Sequence, residues 1–490
     1  MNALDYAVVA GYLVAITAFG SYFARFQKNT KNYFLTDNSI PWWAICFTIV
    51  ATETSTLTFI GVPASAYAGN WTFLQLAAGY VVGRIIVSVL FLPRYFRGAL
   101  VTSYQLLQQR FGQSVSTVAA GLFLLTRSLA DGIRLFATAL VISIVTGVPV
   151  PWTVVVLGGA MIVYTVRGGS AAVIWTDVVQ MFIYIAGALV VFFALLHQIP
   201  GGWSEVMRLG LSAGKFTVLD LSLAPAKVYT LWAGLAGGIA LTLATHGTDQ
   251  FLVQRLLSAD SPKSAARGLV LSGFIVFAQF ALFLLIGAML FAYHQHFPLT
   301  QALPRNDAIL PRFIVDNLPH GLMGFIIAAI VAAALSPSIN AMAATTVNDF
   351  YLRYVKTRPD EARLLRLSKR LTIFWGIIQL IVALGAQWLD QGVLDAGLSV
   401  LSLTTGPVLG AFLVGVLTRR AGAAAMIAGM ALGVIVLVAV WWTAAIAWTW
   451  YALVGATVTA LGALLASFVF TGRDPAPLSG DGRVRRELFR

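Results

Sequence analysis

Apolar stretches of roughly 20 residues, long enough to cross a bilayer as a helix, follow one another along nearly the whole chain. Inside hydrocarbon each backbone N–H and C=O must be satisfied within the protein, so such stretches fold as helices. The spans are expected near 5–24, 41–66, 72–93, 116–146, 150–167, 172–196, 229–250, 267–293, 319–347, 368–390, 396–418, 422–444 and 448–470. The expected fold class is therefore an all-α membrane protein with about thirteen transmembrane helices. Composition agrees: 10% of residues are charged, against about a quarter in a soluble domain. No segment outside the spans is long enough for a globular domain. Asn2 and Asp5, rather than a basic region, precede the first stretch, which reads as a retained span and not a cleaved signal. Cys46, the single cysteine, lies in an apolar run and reads as a small core residue.

The net charge of +13 is unevenly distributed. Most basic residues lie in loops after alternate spans: Arg25, Lys28 and Lys31; Arg94, Arg97 and Arg110; Arg167; Arg255, Lys263 and Arg267. The 349–370 loop, Arg419, Arg420 and the tail continue the series. By the positive-inside rule these loops are cytoplasmic. The N-terminus is then outside and the C-terminus cytoplasmic, in a plasma membrane of bacterial inner-membrane type. Topology accounts for the charge without a nucleic-acid partner. The outer connections 197–228 and 294–318 are long enough for short surface helices, as around 203–211, and the Gly-, Pro- and Arg-rich 471–490 is expected to be disordered.

Within the 41–66 span, Ala51-Thr52-Glu53-Thr54-Ser55-Thr56-Leu57-Thr58-Phe59 is polar at six of nine positions. Lipid penalises such a segment, so it faces protein, water or an ion. Clustered hydroxyls before Gly61-Val62-Pro63 point to a discontinuous helix whose freed carbonyls and hydroxyls suit a hard cation. Glu53 has two readings: an ion or proton site, and a structural acid hydrogen-bonded across a helix interface.

Other spans carry charge as well. Arg127, Asp131 and Arg134 share one helical face; they form a structural knot, a site where one arginine meets an anionic group, or gating contacts. Asp177, with Thr176 and Gln180, is either a cation ligand or the partner of an arginine. His246 precedes Thr248-Asp249-Gln250; it is either a proton carrier or a hydrogen-bonded interfacial histidine, while Asp249 and Gln250 are expected to cap and staple an inner gate. In the 319–347 span, Ser336 and Asn340 fall on one stripe and Pro337 releases the carbonyl of Ala333.

Four motifs, in order, resemble the sodium:solute symporter family over residues 5–470. They are 51–63 with Trp71-Thr72-Phe73; Tyr164-Thr165-Val166-Arg167-Gly168-Gly169 through Trp175-Thr176-Asp177 to Gln180; Gly247-Thr248-Asp249-Gln250 with Gln254-Arg255; and 336–340 with the run to Asp349. The resemblance implies a 5+5 inverted repeat of the LeuT type with additional helices. It divides the chain into 1–40 (a peripheral helix and inner loop), 41–228 (first repeat and outer loop), 229–420 (second repeat) and 421–490 (two helices and a tail). It implies a sodium ion held by the carbonyls of Ala51 and Thr54, and places Ser55, Leu57 and Thr58 near the substrate. It matches Asp177 and Ser336 to a second sodium site found in some members. One departure stands out. Counted back from Ile339-Asn340, the family's sodium-ligating hydroxyl pair falls on Ala333 and Ala334.

The implied function is ion-coupled import, most simply with sodium, of a small polar solute by alternating access. The solute is anionic or zwitterionic if Arg127 or Arg134 faces it. The alternatives are proton-coupled or ion-independent transport on the same fold, and a transporter-like sensor. No metal-ligand spacing or nucleophile constellation suggests an enzyme. The expected partners are the solute and the bilayer, and the chain is expected to act as a monomer.

Overall fold

The computed structural model describes residues 1–27, 29–97, 100–299, 303, 306–334, 338–355, 359–388 and 393–470. Among these the regular elements are helices, with one parallel bridge between Ile40 and Ala259. The long elements are α1 (Ala3–Tyr22), α2 (Trp42–Glu53), α3 (Thr56–Ala68), α4 (Leu74–Leu90), α5 (Gln113–Thr146), α6 (Val150–Gln198), α7 (Leu231–Gly247), α8 (Gln250–Leu257), α9 (Pro262–His296), α10 (Leu322–Ala334), α11 (Ile339–Thr345), α12 (Glu361–Gly385), α13 (Val393–Leu417), α14 (Ala423–Thr443) and α15 (Tyr451–Ala466).

Nine helices among the described residues are long and apolar enough to cross a membrane, and ten if the bent pair formed by α2 and α3 counts as one span. That pair turns by 57°. The spans expected at 150–167 and 172–196 join in α6, interrupted at Gly169, whose φ is +58°. A Cβ there would lie 2.6 Å from the Tyr33 carbonyl oxygen, so the turn requires glycine. The span expected at 229–250 ends earlier: α7 stops at Gly247, Thr248 leaves the helical region, and α8 begins after Asp249.

The broken pairs α2–α3 and α7–α8 lie at the centre. α9 packs along both α2 and α3, and α4 packs on α7. Gly79 and Gly234 make the second contact a backbone-to-backbone crossing, since a Cβ on Gly79 would lie 2.7 Å from the Gly234 oxygen. α14 and α15 pack chiefly on each other and on α13. The expected outer-loop helix is present as Gly202–Ser212. Lys215, just beyond it, donates to the carbonyls of Tyr67 (2.6 Å) and Gly69 (3.0 Å), capping the end of α3. The 471–490 tail lies outside the described residues.

Candidate functional site: a central polar cavity

The first break is built by its own hydroxyls. Thr52 and Thr54 turn back to the carbonyls four residues earlier, at 2.7 and 2.9 Å. Ser55 N donates to Glu53 O, and Thr58 N to Ser55 O. In an unbroken helix those amides would serve the carbonyls of Ala51 and Thr54. Both carbonyls are thereby released from the ladder, as a cation site on this segment needs. Thr58 Oγ1 caps Glu53 O at 3.1 Å, Gln279 donates to Thr54 Oγ1, and Thr56 bonds to Ile330 O and accepts from Thr138 Oγ1 at 2.7 Å. The break is thus held from α9, α10 and α5.

A cavity of about 110 Å³ opens beside it. Its polar lining includes Glu53, Ser55, Thr58, Arg127, Arg134 and His246, and Phe73, Phe251, Phe280 and Leu401 line the apolar side. The Leu57 side chain lies outside what is described.

Glu53 is paired with Arg84, a wholly buried residue of α4, and its other oxygen lies 3.3 Å from His246 Nε2. His246 Nδ1 is 2.9 Å from Thr245 Oγ1. This is the interfacial-acid arrangement, with Glu53 turned toward Arg84 rather than toward α11.

Asp177, expected either as a cation ligand or as the partner of an arginine, has an arginine beside it. Its Oδ2 accepts from Thr48 Oγ1 (2.6 Å) and from Arg255 Nη2 (3.0 Å), in a pocket without solvent exposure. The arginine-partner reading is the one these contacts at Oδ2 match. Ser336 lies outside the described residues, as do the Ala333 and Ala334 side chains.

The arginines on α5 differ from each other. Arg127, read as substrate-binding, gives Nε and Nη2 to Asp249 Oδ2 at 2.9 and 2.6 Å and stacks 4.6 Å from the Phe251 ring centre. It reaches the cavity wall, but that edge is engaged. Arg134 makes an ionic contact to Asp131 at 3.7 Å, too long for a hydrogen bond, and its Nε and Nη1 have no hydrogen-bond partner. Asp131 also lies 3.6 Å from Arg127 Nη1.

The second break is fixed by polar groups. Asp249 Oδ1 accepts from Phe251 N at 2.9 Å as the N-cap of α8. Gln250 accepts from Ser103 N and donates to Val101 O. Gln254 donates to Asn340 Oδ1 at 2.9 Å, tying α8 to α11.

Sequence reasoning passed over Arg84, Thr48 and Gln279. An arginine inside the apolar 72–93 run was the available signal for Arg84; Thr48 and Gln279 had none beyond polarity within a span.

The family model for the sodium:solute symporter family matches residues 33–433. A sodium/sialic acid symporter of Proteus mirabilis is 30% identical over 483 residues, covering 97% of this chain and 95% of its own length. The human sodium-coupled monocarboxylate transporter 1 is 29% identical over 88% of this chain and 72% of its own length. A substrate-bound, outward-open Na+-coupled sialic acid symporter superposes with a TM-score of 0.88 at 28% identity, covering 96% of this chain and 98% of that one. The nucleobase-cation-symport-1 transporter Mhp1 gives a TM-score of 0.62 at 13% identity over 94% and 99% of the two chains, a likeness of fold alone.

Proposed function

The chain belongs to the sodium:solute symporter family, and on that footing we propose that it imports a small organic solute bearing an anionic group, driven by an inward sodium gradient. It is a transporter and not an enzyme, like its relatives and structural matches. The observation that carries the anionic reading is Arg134: a guanidinium on the cavity wall with two nitrogens lacking hydrogen-bond partners. Leaving buried donors unpaired is costly, and a carboxylate accepts strongly from a guanidinium. Sialic acid and monocarboxylates, named for two relatives, both carry that group. The Phe73, Phe280 and Leu401 side suits the solute's apolar face.

Sodium sits at the first break, on the released carbonyls of Ala51 and Thr54. Its binding orders the α2–α3 junction, and the solute binds beside it. The architecture is a thirteen-span LeuT-type inverted repeat in the plasma membrane, N-terminus outside, with α2–α3 and α7–α8 as the related broken helices. Ala333 and Ala334 favour a second reading, a weakened sodium site with proton-driven or uncoupled transport.

Uptake of radiolabelled sialic acid, lactate, glucose and proline into proteoliposomes, with sodium or choline outside, tests both readings. Sodium-dependent uptake of a carboxylate, lost in Arg134→Gln, is expected. Uptake indifferent to sodium and raised by an inward proton gradient overturns the sodium assignment. Uptake of the neutral sugar alone overturns the anionic one.

A further inference from the structure

Four charges run along α5 to the second break: Arg134, Asp131, Arg127 and Asp249. Successive ionic contacts are 3.7, 3.6 and 2.6 Å. The last is hydrogen-bonded through two nitrogens, and the first two are not hydrogen-bonded at all. Asp131 therefore hangs between two guanidiniums, committed to neither, and both its oxygens lack a hydrogen-bond partner. The group is balanced, with two positive and two negative charges. One end lines the cavity, while the other end is the N-cap of α8, whose eight residues are all buried.

We propose that Asp131 is a positioning residue that passes occupancy of Arg134 to the Arg127–Asp249 pair, and so loosens α8 when an anionic solute binds. This rests on the reading of Arg134 as the anion receptor. An arriving carboxylate adds a third negative charge and takes over Arg134. Asp131 loses half of its counter-charge and is drawn toward Arg127. The Arg127 guanidinium then divides one positive charge between Asp131 and Asp249, and the two carboxylates repel each other more strongly. The Arg127–Asp249 contact weakens, and with it the anchorage of α8 to α5. The charge row acts on α8 in addition to any contact the solute makes with Phe251, because its two arrangements differ in their affinity for an anion.

The charge balance can be altered without any solute. Arg134→Gln removes the same positive charge that a bound anion would neutralise. In lipid nanodiscs, amide exchange of Gln250–Leu257 is expected to be about fivefold faster in Arg134→Gln than in the unaltered protein. In the double variant Arg134→Gln with Asp131→Asn it is expected to return close to the starting rate, and α14–α15 exchange should be unchanged throughout. An unchanged rate in Arg134→Gln, or a double variant as fast as the single one, overturns the relay. Asp131→Asn alone supplies a second readout. KM for the transported carboxylate should fall because Arg134 has lost its competitor, and turnover should fall because α8 no longer responds; a purely structural aspartate would not split the two in that way. An unchanged turnover in that variant also overturns the relay. If the exchange cycle fails while carboxylate uptake still depends on Arg134, only the relay is lost. If the cycle holds while uptake ignores Arg134, the anion reading is lost and with it the solute as trigger, while the coupling along the charge row stands.

Discussion

Asp177–Arg255 and Asp131–Arg134 are both carboxylate–guanidinium pairs inside the bundle, the first fully buried and the second with its arginine partly exposed. The first is closed, hydrogen-bonded at 3.0 Å with Thr48 as an added donor. The second is open, at 3.7 Å without a hydrogen bond, and its arginine lines the cavity. A closed pair has its facing atoms engaged with each other. An open pair has unmet donors and is available for binding.

The largest effect is expected where the closed pair is broken. Arg255→Ala leaves Asp177 buried without its guanidinium and is expected to cost about 3–5 kcal/mol, seen as a lowered Tm in detergent. Asp177→Asn with Arg255→Met should recover most of that loss. An unchanged Tm in the single variant would erase the distinction between the two pairs.

Breaking the open pair should instead affect binding. Arg134→Gln is expected to cost about 1.5–3 kcal/mol of carboxylate affinity, roughly 10- to 100-fold in Kd, with little change in Tm. Isothermal titration with the transported carboxylate measures the first quantity and thermal unfolding the second. A large fall in Tm with unchanged affinity would put this pair in the same class as Asp177–Arg255.

Glu53–Arg84 lies between the two kinds, with the arginine sealed and the acid at the cavity edge. Glu53→Gln keeps the shape and some hydrogen bonding, so a loss of about 1–2 kcal/mol is expected, with sodium dependence of uptake retained. Loss of sodium dependence alone would return Glu53 to a coupling role. The exposed i,i+4 pair Arg312–Asp316 sets the floor: Arg312→Ala should change stability by less than about 0.5 kcal/mol.

Much of the fold was legible because hydrophobic length and polar interruption are local properties. The 51–59 run marked the first break, and Thr54 and Ser55 lie at it. The Gly168-Gly169 turn was visible for the same reason, since a positive φ at Gly169 is what glycine permits. The second break was less visible: the expected span ran through to 250, whereas the helix leaves its path at Thr248. The candidate site was legible as a set of residues but not as a set of pairings. Asp131 with its neighbours at i−4 and i+3 was apparent, yet Asp249 is the residue that engages Arg127, 122 positions away.

The sequence by itself determined that this chain is a helical membrane protein of one family, where its first core helix breaks, and which charges must avoid lipid. These follow from solvation, which acts on each segment separately. Only the tertiary structure decided that Asp177 pairs with Arg255, that Glu53 turns to Arg84, and that Arg134, a cavity-lining residue, keeps two buried nitrogens without a hydrogen-bond partner. Hydrogen bonds act over about 3 Å, so whether a charge is spent depends on which distant helix packs against it.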